Sequence, residues 1–174
     1  MSTAVIYEGS RGMRVERPGI TIHGAPQQEL VEVARERVDS GASRIELCGG
    51  IGADDAAAVI DAVGDRAEVK INRYAFDSLE QAAQYKQAFA TGDPGPAAFV
   101  YLAPGADPHA DRIEHPDGIF IPVSDEATVE RVAKALADDG VAILELYGGL
   151  GVRAAAAALR GSGAAIAVGF VDAD

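Results

Sequence analysis

The stretch Ile45–Gly52 reads IELCGGIG, and it returns almost letter for letter at Leu144–Gly151 as LELYGGLG. The two stretches lie 99 positions apart, and at that offset residues 19–69 align with residues 118–168 without a gap. Of the 51 aligned pairs, 17 are identical. Self-similarity of this length is typical of a repeat, so the chain is predicted to be a tandem duplication.

The duplication divides the chain into three predicted segments. We expect residues 1–76 to form the first repeat, residues 77–95 a linking helix and turn, and residues 96–174 the second repeat. The end of the linker and the first residue of the second repeat read GDPGP, a cluster of turn-forming residues. The two repeats are expected to form one globular unit.

Each repeat predicts an α/β fold in the order ββαβαβ, with mostly parallel strands, because short β-rich runs alternate with runs of helical periodicity. The two repeats would be related by a pseudo-two-fold axis. Their eight strands favour a compact barrel-like (β/α) arrangement. The alternative is two open α/β half-sheets packed as an internal pseudo-dimer. In the first repeat we expect strands at 4–8, 19–23, 44–48 and 67–73, and helices at 27–40 and 54–63.

The composition restricts the classes of partner. Of the 174 residues, 15 are basic and 27 are acidic, so the net charge of −12 repels the phosphates of nucleic acids and acidic membranes. Cys48 is the single cysteine, which excludes an internal disulfide and a multi-cysteine metal site. No apolar run approaches the roughly 20 residues of a membrane span, and no secretory signal is visible. We therefore expect a cytoplasmic bacterial protein with no nucleic-acid or membrane partner.

The alternation of side chains along the strands predicts a polar face in the first repeat. If the aliphatic Ile45 and Leu47 face the helices, the opposite face collects the polar residues Thr21, His23, Glu46, Cys48, Lys70 and Asn72. At the aligned positions the second repeat has Phe120, Pro122, Glu145, Tyr147, Gly169 and Val171. Only the glutamate recurs. This asymmetry predicts a working polar pocket at the carboxyl ends of the strands of the first repeat, where α/β proteins place their sites.

Three residues of this face are candidates for catalysis. Glu46 has the chemistry of a general acid or base, Lys70 could pair with it and tune its charge, and Cys48 could act as a nucleophile. Each has a structural alternative. Glu46 could accept hydrogen bonds from the glycine turn that follows it, and Cys48 could be a small buried apolar residue.

The glycine turns after the third strand of each repeat are candidates for anion binding, because backbone N–H groups and a helix N-terminus favour negative charge. Neither turn has the spacing of a dinucleotide or P-loop motif, and no residue set has the spacing of a metal site, so we expect no cofactor and no metal. The candidate binding residues are Thr21, His23, Gly49, Gly50, Gly52, Asn72, Arg73, Glu145, Gly148, Gly149 and Gly151.

Three functions remain open at this point. The first is binding of a small anionic metabolite at the strand ends of the first repeat, with catalysis undecided. The second is a non-catalytic structural or regulatory module. The third is a metal-handling protein that uses His23, Glu46 and Cys48. The chain would be a monomer, as an internal pseudo-dimer, or a homodimer.

Two motifs carry a resemblance to a known family. Ala103–Pro108 reads APGADP and Glu46–Gly50 reads ELCGG, and together they resemble a prokaryotic family of unknown function whose members are single-copy proteins of about 100 residues. The resemblance implies an α/β module and no particular activity. The first repeat lacks the APGADP loop. Gly41–Cys48 is also similar to the CutC copper-homeostasis family of barrels, but the likeness ends there and implies no copper handling.

Overall fold

A computed structural model describes residues 2–172, and its chain divides into two compact units, with the boundary between Asn72 and Arg73. The strands form two separate sheets, of five and six strands, and neither sheet closes on itself. The α/β class and the two repeats are confirmed. The described strands form two open sheets.

The first unit contains one five-stranded sheet and two helices. Its strands lie in the order β2-β3-β1-β4-β5, all parallel except β2, which is antiparallel to β3. Its elements are β1 (Thr3–Glu8), β2 (Arg14–Arg17), β3 (Ile20–Ala25), α1 (Leu30–Asp39), β4 (Arg44–Leu47), α2 (Ala53–Val63) and β5 (Glu68–Ile71).

The second unit repeats this topology and adds a strand and a helix at its start. Its strand order is β6-β11-β10-β7-β9-β8, with β6 and β8 antiparallel to their neighbours. Its elements are β6 (Arg73–Tyr74), α3 (Leu79–Thr91), β7 (Ala97–Leu102), β8 (Ile113–His115), β9 (Gly118–Val123), α4 (Val129–Asp138), β10 (Ile143–Tyr147), α5 (Val152–Ser162) and β11 (Ala167–Phe170).

Each unit has an edge hairpin strand that the sequence did not predict. In β2 only Val15 is buried, and the other three residues are charged. In β8 none of the three residues is fully buried. Short charged strands are typical of sheet edges, where they discourage pairing with other chains. Their weak apolar pattern explains why sequence periodicity overlooked them.

Strand β3 of the first unit is shifted by one residue relative to the ungapped alignment of the two repeats. Only Pro26 separates β3 from the next helical turn, whereas Ser124 and Asp125 separate β9 from its counterpart. The register places Ile22 beside Val5 and Phe120 beside Phe99, so Ile22 corresponds to Phe120 at an offset of 98 rather than 99. A one-residue shift moves every side chain of a strand to the other face.

The core of the second unit lies between its sheet and the helices α4 and α5. Leu144, Leu146 and Val100 pack with buried residues of both helices, which confirms that the aliphatic face of β10 meets the helices. The two helices approach so closely at Gly161 that a Cβ there would overlap the backbone carbonyl of Glu130.

None of the helices in residues 2–172 has the length and apolar character needed to cross a membrane.

Candidate functional site

A ladder of four charged side chains spans the last two strands of the first sheet, β4 and β5, and contains Glu46. The Arg44 Nε donates to Glu46 Oε1 at 2.8 Å, and its Nη1 donates to Glu68 Oε2 at 3.0 Å. The Lys70 Nζ lies 2.8 Å from Glu68 Oε1. We call Arg44, Glu46, Glu68 and Lys70 the charge ladder. It alternates in sign, so every charge in it has an opposite charge within bonding distance.

The strand register explains why these four side chains meet. Glu46 pairs with Lys70 and Arg44 pairs with Glu68 across β4 and β5, so all four point to the same face of the sheet. The side chain of Glu46 is fully buried and that of Arg44 is 8% exposed, whereas those of Glu68 and Lys70 are partly exposed. The ladder therefore runs from a buried ion pair to a carboxylate and an ammonium that solvent can reach.

The equivalent glutamate of the second unit has a different set of partners. The hydroxyls of Tyr74 and Tyr147 each donate to the Glu145 carboxylate at 2.5 Å. Tyr74 reaches it from β6 across Gly169, which lies between the two residues in the sheet and has no side chain. Stacked rings of Phe99 and Phe120 lie in the same row, with centroids 5.0 Å apart. Glu145 is thus held by neutral phenols beside aromatic rings.

The register separates two of the predicted site residues from the others. Thr21 lies beside Ala4 and His23 beside Ile6, in the rows of Ile45 and Leu47, so both face away from Glu46 and Lys70. The expected polar face is therefore divided between the two sides of the sheet. The cause is the one-residue shift of β3, which an ungapped alignment could not detect.

His23 occupies a buried position beside charged residues of β2 and α1. Its pKa is lowered from 6.5 to about 4 by burial and by the positive charges of Arg37 and Arg14, and Glu16 opposes this shift. Within residues 2–172 its Nε2 has no hydrogen-bond partner. His23 is therefore a neutral core histidine at physiological pH, on the face opposite the charge ladder.

The remaining predicted residues follow the ends of β4 and β5. Cys48 is buried and accepts a weak hydrogen bond from the Glu8 backbone N–H, with the nitrogen 3.4 Å from Sγ. Asn72 is buried, and its backbone N–H donates to the Leu47 carbonyl. Arg73 is exposed on β6 and belongs to the second unit. The structure brings Cys48 and Asn72 to the carboxyl ends of β4 and β5, whereas Arg73 is part of β6 in the second unit.

The two glycine turns differ in their electrostatics. Gly52 begins α2 without a side-chain cap, and the first turn of that helix contains Asp54 and Asp55. Gly151 begins α5 in the same way, but its first turn contains no acid. In this second turn Gly148 and Gly149 both have positive φ, 69° and 96°, a conformation that glycine adopts at low cost. The turn of the first unit is the less favourable of the two for an anion.

A surface groove of about 600 Å³ lies between α4 and α5, and none of the predicted site residues lines it. Its charged lining consists of Glu126, Glu130, Arg153 and Arg160, with Arg160 paired to Glu130 at 3.1 Å. Among residues 2–172 no group of three or more His, Cys, Asp or Glu side chains is placed to hold a metal ion.

Three residues of these clusters were missed by the sequence reasoning. Arg44 and Glu68 could have been found, because each lies two residues from Glu46 or Lys70 on a strand and therefore shares its face. Tyr74 could not, because its contact with Glu145 depends on the pairing of β6 with β11.

Comparison with known proteins identifies one family. Its model, described as a family of unknown function (DUF6506), matches residues 15–87 and again residues 96–174. No curated protein and no solved structure matches the chain. The two matches confirm the expected resemblance to an uncharacterised family and the tandem duplication. Because they span most of the sequence, the chain belongs to DUF6506, a family of unknown function, and contains two copies of its domain.

Proposed function

We propose that this protein binds a small anionic metabolite on the charge ladder of the first unit, with Arg44 and Lys70 as the groups that hold the anion. The observation that carries this proposal is the position of Glu68. Its carboxylate bridges the two cations, at 3.0 Å from Arg44 Nη1 and 2.8 Å from Lys70 Nζ. A bound carboxylate or phosphate would make the same contacts.

The exposure of the ladder supports an exchange between Glu68 and a ligand. The side chain of Glu68 is 40% exposed and that of Lys70 is 28% exposed, so both can move into solvent. When Glu68 turns away, Arg44, Lys70 and Glu46 together keep one net positive charge. Removal of a competing carboxylate therefore leaves a site that favours an anion, although the chain as a whole is acidic.

In this proposal Glu46 is a positioning residue. It is fully buried and holds the Arg44 side chain through the 2.8 Å hydrogen bond to Nε, so that Nη1 points at the bridging position. A guanidinium fixed in this way loses less side-chain freedom when it binds a carboxylate or phosphate. The second unit has Ile143 at the position of Arg44 and no equivalent cation pair.

The non-catalytic structural role remains a second candidate, favoured by the burial of the Arg44–Glu46 pair. A buried ion pair with both partners satisfied can serve the fold alone. The two candidates differ in their response to Glu68. A binding site gains affinity when its internal competitor is removed, whereas a structural ladder only loses an ion pair.

The test is calorimetric titration of the full chain with inorganic phosphate and with citrate as probes. Under the proposal, Glu68→Ala raises the affinity several-fold, and Lys70→Ala lowers it about tenfold, the loss of about 1.4 kcal/mol expected for one charge-assisted contact. Lys134→Ala is the matched control, because Lys134 forms an exposed ion pair with Asp138 on α4. Absence of binding to wild type and to Glu68→Ala would rule out the anion site and favour the structural role.

A further inference from the structure

The last parallel strand of each sheet turns a row of backbone groups outwards, and the two units treat this row differently. In the second unit β6 pairs with Gly169 and Phe170 of β11, and the Val168 N–H donates to Ser78 Oγ at 3.1 Å. In the first unit β5 is the outermost strand, and β4 is its only strand neighbour among residues 2–172. The edge that is paired in the second unit is therefore open in the first.

The open backbone groups of β5 belong to Val69 and Ile71. The N–H groups of Glu68 and Asn72 donate to carbonyls of β4 and of the residue before it. Because successive residues of a strand turn their backbone groups to opposite sides, Val69 and Ile71 turn theirs away from β4. Within residues 2–172 these outward groups have no hydrogen-bond partner. All four residues of β5 are at least partly exposed, which is unusual for a parallel strand.

The helix α2 lies beside this open edge. It contacts β5 and α1, whereas α1 contacts β1, further inside the sheet. The flank of α2 that faces α1 contains Asp55, whose Oδ2 accepts a hydrogen bond at 2.7 Å from Gln27 Nε2, just before α1. The opposite flank of α2 therefore lies on the side of the open edge.

This opposite flank of α2 is exposed and uncharged. Ile60 is 46% exposed and lies about 140° around the helix from Asp55, since successive helical residues are about 100° apart. Other exposed residues share its flank at the three- and four-residue spacing of one helical face. We call this set the α2 flank: Ala53, Ala57, Ile60 and Gly64.

The charges of β5 favour a second copy of this chain as the occupant of the edge. In an antiparallel pair of β5 strands centred on Val69, the outward groups of the two Val69 residues face each other and can bond. Each Glu68 then lies directly opposite Lys70 of the other copy. These positions form non-hydrogen-bonded pairs, in which side chains approach most closely and opposite charges are stabilising. A lysine alone would discourage such pairing, but Glu68 makes the edge complementary to itself.

We infer that the protein forms a homodimer through the open edge of β5, with the two β5 strands antiparallel and the two five-stranded sheets joined into one. The two-fold axis is perpendicular to the sheet, so both copies of α2 lie on the same side and present the α2 flank to each other across the axis. The small side chains of Ala53 and Ala57 allow the helices to approach closely. The inference goes beyond the proposed anion site and does not rest on it, because its hydrogen bonds come from backbone groups and its apolar contact from α2.

Sedimentation velocity of the full chain from about 1 μM to about 1 mM tests the inference. We expect a reversible dimer with a dissociation constant of about 10–100 μM, because one short strand and one helix flank bury less area than a standard interface. A chain that stays monomeric over the whole range would overturn the inference.

A proline in β5 tests the strand pairing. Val69→Pro removes an outward N–H group and is expected to raise the dissociation constant about tenfold or more. Proline is tolerated on an edge strand when its nitrogen faces away from the neighbouring strand, so the sheet itself is preserved. Val69→Ala is the control, because it shortens the same side chain and keeps the N–H group. A dimer that Val69→Pro weakens no more than Val69→Ala would contradict the pairing of β5 strands.

A charge on the α2 flank tests the helix contact without changing β5. Ile60→Glu places two carboxylates near each other across the axis and is expected to raise the dissociation constant about tenfold or more. Val152→Glu is the matched control. Val152 is 65% exposed and aligns with Ala53 of the flank, but it lies on α5 in the unit whose sheet edge is paired with β6. Equal weakening by both variants would overturn the inference.

Amide hydrogen exchange followed by NMR at about 1 mM and about 30 μM locates the interface. The N–H groups of Val69 and Ile71 are expected to exchange more slowly at the higher concentration, because the dimer bonds both. The Lys70 N–H points towards β4 and should exchange at the same rate at both concentrations, which makes it the internal control. Concentration-dependent protection that appears elsewhere and not at Val69 and Ile71 would show that the copies associate through another surface.

Discussion

The two units place a glutamate at the same position of the same strand and surround it differently. In the first unit Glu46 accepts a hydrogen bond from Arg44, a cation on the same strand. In the second unit Glu145 accepts hydrogen bonds from the hydroxyls of Tyr74 and Tyr147. Ile143 takes the position of Arg44, and Tyr147 takes that of Cys48. Both copies therefore keep the carboxylate, but the side chains that donate these hydrogen bonds are an arginine in one copy and tyrosines in the other.

This difference shows that the two carboxylates are stabilised by different physics. A guanidinium cancels the charge of Glu46 and brings a cation to the sheet, whereas the phenol hydroxyls that donate to Glu145 carry no charge of their own. At this position of the strand the first unit therefore has a cation, Arg44, where the second unit has Ile143. A carboxylate needed merely to fix the following turn would not require either set of side chains.

The largest effect in this comparison is expected when Arg44 is removed. Arg44→Met leaves Glu46 buried without its cation, and breaking a buried ion pair costs about 3–5 kcal/mol of unfolding free energy. Urea unfolding at pH 7 measures the loss. The double variant Arg44→Met/Glu46→Leu is the control, because it removes both charges together and should recover most of the stability. A double variant as unstable as the single one would show that packing of the Arg44 side chain, and not its charge, stabilises the unit.

The repeat and the fold class could be predicted from sequence because they rest on local patterns. The IELCGGIG and LELYGGLG stretches predict equivalent strand–turn–helix junctions. The structure has such a junction after each of the strands Arg44–Leu47 and Ile143–Tyr147. The identity of Gly19, Ile20 and Ile22 with residues 118, 119 and 121 was misleading, because the register of β3 relates it to β9 at an offset of 98. Sequence identity cannot detect a one-residue change in a loop when the strands on either side read alike.

The clusters around the glutamates were harder to predict because they depend on pairing between strands. Glu46 and Lys70 are cross-strand neighbours as expected, but Arg44 and Glu68 complete the ladder.

The boundary between the two units could not be predicted from the sequence either. The first family match runs to residue 87, whereas the first unit ends at Asn72, so part of the matched segment packs in the second unit. Only the structure shows that β6 adds to the sheet of the second copy.

His23 provides the next largest test, because the second unit has an isoleucine at the corresponding position. By register His23 corresponds to Ile121, so His23→Ile gives the first sheet the residue of the second. The folded pKa of His23 is about 4, below its usual 6.5, so the unfolded chain binds the proton more tightly. Its contribution to stability is complete above pH 6.5 and is lost as the pH falls towards 4.

The expected size of this pH effect follows from the lowered pKa. Through His23, the free energy of unfolding of the wild type should fall by about 2–3 kcal/mol between pH 6.5 and 4. That of His23→Ile should not show this decrease. Urea titrations of both proteins across this range give the difference, and the carboxylates they share cancel in it. Parallel pH profiles would mean that burial and the positive charges of Arg37 and Arg14 do not keep His23 neutral in the folded state.

The smallest effect is expected from the phenols of Glu145. Tyr74→Phe removes the hydrogen bond from Tyr74 to the Glu145 carboxylate and leaves the one from Tyr147 in place, so a loss of about 1.5 kcal/mol in unfolding free energy is expected. A double-mutant cycle with Glu145→Gln isolates this contact from the packing of the Tyr74 ring on β6. A coupling energy near 1 kcal/mol or more would confirm that a phenol replaces the arginine of the first unit. A coupling energy near zero would mean that the Tyr74 hydroxyl does not stabilise the second carboxylate, and Tyr74 would then play no part in the contrast between the two units.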